Sequence, residues 1–260
     1  MIYQSEDRKI YDDLIVSARE NWGRSKAVGE VITNIGTYFL GFPYVGKSLE
    51  TEGEETLVIN LREFDCFTFV ENVVVLAKLI KKGKYAFEDY GAALERIRYR
   101  NGLLKGYSSR LHYFSDWIFD NEKKGNVKDI TGEIGGTPFL KEINFMTRHR
   151  ANYSGLNNDK SYREMRVVEK NLSGRSMYQV QKNELRQRGS AIKDGDLIAA
   201  TTSIEGLDVV HVGLAVRVRG KIHLLHASEV EKEIVISDDT LYRYLSKRKT
   251  MTGIMVGRVT

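Results

Sequence analysis

Cys66 is the only cysteine in a chain of 260 residues. It lies in the stretch Phe64-Asp65-Cys66-Phe67-Thr68-Phe69-Val70-Glu71. A thiol attacks as its thiolate, so its value as a nucleophile depends on how easily the proton leaves. Asp65 has the character of a helix N-cap, because its carboxylate can accept a first-turn N–H. Phe69, Val70, Val73, Leu76, Ala77 and Ile80 then recur at helical spacing. The pattern predicts a helix with Cys66 in its first turn. The positive end of that helix should favour the thiolate and lower the thiol pKa.

A thiol nucleophile also needs a base. In "VVHVGLAVRV" the even positions Val210, Val212, Leu214, Val216 and Val218 are apolar and should face a core. The odd positions include His211, Gly213 and Ala215, so His211 has small neighbours on its own face. Something bulky should approach that face, and the Cys66 helix would serve. The next segment, "KIHLLHAS", puts Ile222, Leu224 and His226 on one side and His223 and Leu225 on the other. Arg219-Gly220 joins the two segments as a hairpin. A second polar residue beside His211 could then fix its tautomer, as the third member of a triad does. Alternation alone leaves both His223 and His226 open for that role.

Another concentration of recognition chemistry is "SSRLHYFSDWIFDNEKKG". Arg110, His112, Tyr113 and Trp117 read as a substrate wall. The rings would lie against sugar or peptide, and Arg110 would fork a carboxylate. His149 reads as a surface histidine. The histidines lack zinc-site spacing and no second cysteine exists, so neither metal nor cofactor is expected. No carboxylate pair stands out for glycoside hydrolysis.

Apolar periodicity predicts helices near 5–22, 25–40, 86–99, 111–124 and 159–172, besides the one after Asp65. A short strand is expected at 56–61. From about 175 the texture turns to strands: "SMYQV", "DLIAATT", the hairpin around Arg219-Gly220 and a final "GIMVGRV", with a helix near 239–247. Helices first and strands later indicate an α+β fold. A single domain over 1–260 is expected, with a helical insertion or subdomain around 83–190.

Lysine and arginine total 40 against 35 aspartate and glutamate, a net charge of +5. The basic residues are scattered, without the aromatic-interleaved stripe of a nucleic-acid surface. No run of eighteen apolar residues predicts a membrane span. Nothing in the pattern demands an oligomer. The opening "MIYQSEDRKIYDD" does not read as a signal peptide.

The pieces "GFPYVG", "FDCFTFV", "DGDLI", "HVGLA" and "LLHAS" occur in an order that resembles the NlpC/P60 superfamily of papain-like cysteine peptidases. "GFPYVGKSLE", "DCFTFVE" and "RLHYFSDW" are similar to its DUF1460 branch, the N-acetylmuramoyl-L-alanine amidase-like proteins. The resemblance implies a nucleophile-bearing helix packed on an antiparallel sheet, with extra helical insertions. It makes Cys66 the nucleophile, His211 the general base and His226 the orienter, and it places Tyr44 near the oxyanion. Asp65 keeps its capping role. The commoner signature continues Cys-Ser-Gly, whereas here Phe67-Thr68 follow Cys66. The implied cut is therefore the amide between N-acetylmuramoyl and L-alanine in peptidoglycan fragments, notably anhydro-muropeptides. An endopeptidase acting on the D-glutamyl–diaminopimelate bond, or a non-catalytic wall-binding module, are the rivals. Such a substrate implies a periplasmic or exported protein.

Overall fold

The computed structural model describes residues 1–22, 27–51 and 53–260. Its centre is an antiparallel sheet in the order β2-β3-β8-β4-β5-β6-β7, with β1 also paired to β8. The strands are β1 (Val127–Asp129), β2 (Thr137–Phe139), β3 (Met177–Gln181), β4 (Leu197–Thr202), β5 (Val209–Val218), β6 (Lys221–Ser228), β7 (Glu233–Thr240) and β8 (Met251–Val259). The helices are α1 (Ser5–Ser17), α2 (Val28–Tyr38), α3 (Cys66–Lys82), α4 (Phe87–Arg98), α5 (Phe114–Lys123), α6 (Phe145–Arg148), α7 (Asp159–Ser173), α8 (Leu185–Arg188) and α9 (Leu241–Ser246). The α+β expectation holds.

Alternation along β4, β5 and β6 builds two cores, one on each face of the sheet. Val212, Leu214, Val216, Leu225 and Ala227 join the side chains of α2 and α3. Ala200, Ala215 and Leu224 join Leu241, Tyr244 and Leu245 of α9 on the other face. Covering both faces is why these strands are apolar at nearly every position. A third, smaller cluster gathers Tyr113, Met146 and Met165 under α6 and α7.

α3 is the central helix. It begins at the residue after Asp65 and ends at Gly83, whose φ of 64° is the left-handed cap that glycine adopts without a Cβ penalty. Helix propensity does little here, since valine and phenylalanine are frequent. Burial of most of its residues against α2, α4, β5 and β6 holds it in place.

Three expectations need correction. The segment 83–190 is not purely a helical insertion: it also supplies β1 and β3, both paired with β8, and β2 beyond them. The stretch 56–61 forms only an isolated bridge, Ile2 to Val58. The first helix stops at Ser17, continues as a π-helical turn over Ala18–Trp22, and only its last expected residues differ. The start expected for α2 near 25 falls partly outside the described residues. Strand β7 went unforeseen, because "EIVISDDT" carries too many carboxylates to read as a strand.

Candidate functional site

Asp65 fixes the start of α3. Its Oδ1 accepts the N–H groups of Phe67 at 3.0 Å and Thr68 at 2.7 Å, while the Thr68 hydroxyl accepts the Asp65 N–H at 3.0 Å. This reciprocal cap takes the second and third amides of the helix and leaves that of Cys66 free of it. Upstream, the Val45 N–H donates to Phe64 at 2.9 Å and the Phe64 N–H to Pro43 at 3.0 Å. The Tyr44 N–H donates to Lys232 at 2.8 Å, in the turn between β6 and β7. Tyr44 is thereby stitched between the chain entering α3 and that turn, beside Cys66.

On the sheet, the β5–β6 ladder runs from Leu214 opposite Leu225 to Val218 opposite Lys221. Val212 lies beyond this ladder, and its N–H points at the Cys66 sulfur, together with the N–H groups of Cys66 and Phe67. The sulfur therefore lies at the edge of β5, next to the residue after His211. His211 Nε2 is 2.8 Å from His226 Nδ1, with the rings edge to face and their centres 4.8 Å apart. This bond occupies Nε2 of His211; with Nε2 as the donor, Nδ1 is the nitrogen left to take a proton. His223 is elsewhere engaged, its Nδ1 2.8 Å from the Ser237 carbonyl oxygen. Register thus selects His226 over His223 as the partner of His211.

The face on which His211 lies differs from the expectation. His211 lies opposite Ala200, on the face of α9, whereas α3 covers the face of Val212 and Leu214. The small residues beside His211 make room for its partner and not for the helix. A Cβ on Gly213 would lie 2.9 Å from the His226 Cβ. The Cys66 sulfur lies by the Val212 amide, one residue along β5 from His211.

Tyr244 backs the imidazole pair, with ring centres 6.1 Å from His211 and 5.3 Å from His226. The Arg248 guanidinium stacks 3.6 Å from the Tyr244 centroid and donates to the Tyr244 carbonyl at 2.9 Å. Neither residue was singled out from sequence. Their helical i, i+4 spacing in "LYRYLSKR" was the available signal.

Burial governs the electrostatics. It lowers His211 to about 3, with His226 and then Arg248 adding to the effect. It lowers His226 to about 4, again assisted by Arg248. Both rings are neutral near pH 7. The half-buried Cys66 moves opposite to expectation, since burial and then the Asp65 charge push its thiol up to about 12 against three favourable amides. A helix end supplies about 0.3–2 kcal/mol. Desolvation moves a buried group by up to about 3–5 pKa units, so it outweighs the dipole. At rest Cys66 is therefore a thiol and His211 a neutral imidazole. Burial also raises the Tyr44 phenol to about 12, with Cys66 the next cause.

The residues expected to line a substrate wall fare less well. Trp117 is fully buried; its indole N–H donates to Glu71 at 3.1 Å, and its ring stacks on Phe114. It also meets Phe67 edge to face at 6.3 Å, so it braces the first turn of α3 from behind. Tyr113 is buried too, donating to Glu169 at 2.8 Å and accepting the Met146 N–H at 2.9 Å. Arg110 is 5% exposed, and its guanidinium is committed to Glu50 and Glu55. It offers no free fork. Arg110 and the half-buried His112 do line a cavity of about 190 Å³ alongside Asp65, Phe67 and Thr68. His112 is held well below its usual pKa by burial and then by Arg110, and its Nε2 lies 3.0 Å from the Tyr107 carbonyl oxygen. His149 is exposed, as expected. Among the described residues, no cluster of three or more metal-ligating side chains occurs.

The model of the N-acetylmuramoyl-L-alanine amidase-like family matches residues 34–254, a span that includes every residue of this cluster. The chain belongs to that family. It is similar to a solved N-acetylmuramoyl-L-alanine amidase from Bacteroides uniformis ATCC 8492, at 36% identity and a TM-score of 0.86, covering 90% of this chain and 99% of the other. A Bacteroides fragilis protein provisionally described as a xylanase is 38% identical with a TM-score of 0.82, covering 87% of this chain and 100% of that one. A Legionella pneumophila protein with a DUF1460 family model shares the fold, at 20% identity and a TM-score of 0.70, covering 98% of this chain and 93% of that one. Among curated proteins none matches. No helix among the described residues is long and apolar enough to cross a membrane.

Proposed function

We propose that this family member is a cysteine-dependent amidase of the papain-like NlpC/P60 type. It would cleave the bond between N-acetylmuramoyl and L-alanine in peptidoglycan fragments, anhydro-muropeptides above all. The observation that carries the reading is the linked arrangement at one strand edge. The Val212 amide points at the Cys66 sulfur, and the neighbouring His211 is bonded to His226 at 2.8 Å.

In this mechanism the lactyl carbonyl carbon approaches the sulfur. His211 Nδ1 takes the thiol proton as the S–C bond forms, so the thiolate need not exist beforehand. His226 holds the tautomer that leaves Nδ1 unprotonated and steadies the imidazolium that follows. The Cys66 N–H, which the Asp65 cap does not use, and the Tyr44 hydroxyl are the donors for the tetrahedral oxyanion. The oxyanion then collapses, the C–N bond breaks, and His211 returns its proton to the alanine amine. Water, deprotonated by His211, hydrolyses the thioester and restores the thiol. Peptidoglycan chemistry of this kind fits a periplasmic or exported protein.

Cys66→Ser should lose at least about 100-fold in kcat on a defined anhydro-muropeptide, because a hydroxyl at this site is a far weaker nucleophile. Mass analysis of the wild-type digest should show intact anhydro-sugar plus the L-alanyl peptide. A shortened stem still attached to sugar would assign the enzyme as an endopeptidase instead. Full activity in the serine variant would remove Cys66 from the mechanism.

A further inference from the structure

A second concave surface lies at the opposite end of the same hairpin. His211 and Arg217 are six positions apart on β5, which separates this surface from the candidate site by about 20 Å. The groove encloses about 710 Å³ between α8, the β5–β6 turn and α9. Arg186, Arg217, Lys221 and Arg243 line it, and no lining residue is acidic. Among the described residues none of these four has an ion-pair partner.

Two of the four cations are held in position without being neutralised. Arg217 donates to the Ile192 carbonyl at 2.7 Å, which orients its guanidinium while leaving its charge intact. Arg186 lies over the Tyr242 ring at 4.3 Å from the centroid, a contact that also fixes direction without cancelling charge. Asp239 interacts with Arg243 at longer range but is itself bonded to Lys247. Ile222, Leu241 and Tyr242 supply apolar lining beneath this positive rim.

Four exposed like charges around one concavity repel one another, so the arrangement disfavours folding unless an anion relieves it. A volume of this size exceeds what a bare phosphate needs and falls in the range of small-ligand sites. Fixed guanidinium groups match phosphate oxygens in geometry as well as charge. We infer that this groove binds a phosphate-bearing ligand whose body is apolar or ring-bearing, independently of the amide chemistry at Cys66.

The probes are phosphatidylglycerol vesicles, compared with phosphatidylcholine vesicles, and inorganic pyrophosphate, each added to the full chain at about 0.1 M salt. At least one anionic probe should bind. The double substitution Arg186→Glu with Arg243→Glu should weaken that binding at least about tenfold. A matched control, Arg163→Glu with Arg166→Glu on α7, should leave it unchanged, and turnover of a soluble muropeptide should be the same in both. Preference for vesicles assigns a lipid headgroup; binding of pyrophosphate assigns a soluble phosphate ester. If the charge-reversed protein fails to fold, Arg186→Gln with Lys221→Gln carries the same comparison. Failure of both probes to bind, or equal loss in the α7 control, overturns the assignment.

Discussion

Arg248 should set the proton affinity of the histidine pair, and Arg248→Met isolates that effect. Methionine keeps an apolar stem against the Tyr244 ring and removes the charge. The guanidinium carbon is 3.6 Å from the Tyr244 centroid, which is 5.3 Å from the His226 ring centre. Charge and imidazole are therefore no more than about 9 Å apart. At an effective dielectric of about 20 that separation is worth about 1.8 kcal/mol, just over one pKa unit. Solvent around the half-buried arginine trims this to about one unit or slightly less. The sign is upward, because Arg248 lowers both His226 and His211 in the native protein. The chain has five histidines, so imidazole NMR can follow each one during a pH titration. His226 and His211 should titrate about one unit higher in the variant, while exposed His149 stays put as the internal reference. The acid limb of kcat/KM should move the same way. If the two midpoints shift by less than about 0.3 unit in a normally folded variant, this Coulomb argument fails.

Other tests probe neighbouring parts of the site. His211 and His226 have folded-state pKa values below the unfolded value of about 6.5, so their stabilising neutral burial is complete above pH 6.5 and lost as pH falls toward about 3–4. Urea unfolding should therefore show roughly 2–4 kcal/mol less stability at pH 5 than at pH 7 from these two groups, and the His211→Asn, His226→Asn double variant should flatten that slope. Asp65→Asn retains a cap acceptor but removes the charge that raises the Cys66 thiol. Iodoacetamide should then alkylate Cys66 severalfold faster near pH 8.5, with a nearly unchanged melting temperature; an unchanged rate would discount the Asp65 charge. Tyr44→Phe should lower kcat by about tenfold or more with little change in KM, provided its hydroxyl meets the oxyanion. A loss confined to KM would place Tyr44 in substrate binding instead.

Local pattern was enough to find the pieces of this site. Capping chemistry at Asp65 and the apolar stripe behind Cys66 defined α3, because a helix start depends on residues within one or two turns. Alternation marked β5 and β6, and the histidines on them, for the same reason. Trp117 and Tyr113 read as substrate wall because aromatic residues have the same helical spacing whether they line a cleft or fill a core. Trp117 and Tyr113 proved buried only once α5 was placed behind α3 and beside α7.

The sequence by itself determined that Cys66 opens a helix, that β5 and β6 form a hairpin, and that the fold is α+β. It did not determine which face of β5 the helix would cover. A period of two divides a strand into two faces without saying what packs on either. Tertiary packing put α3 on the Val212 face and α9 on the His211 face, so Cys66 and His211 approach β5 from opposite sides of the sheet. It also chose His226 over His223 and reversed the expected shift of the thiol. Those outcomes rest on long-range pairing and on how much protein surrounds each group, neither of which is encoded within any one segment.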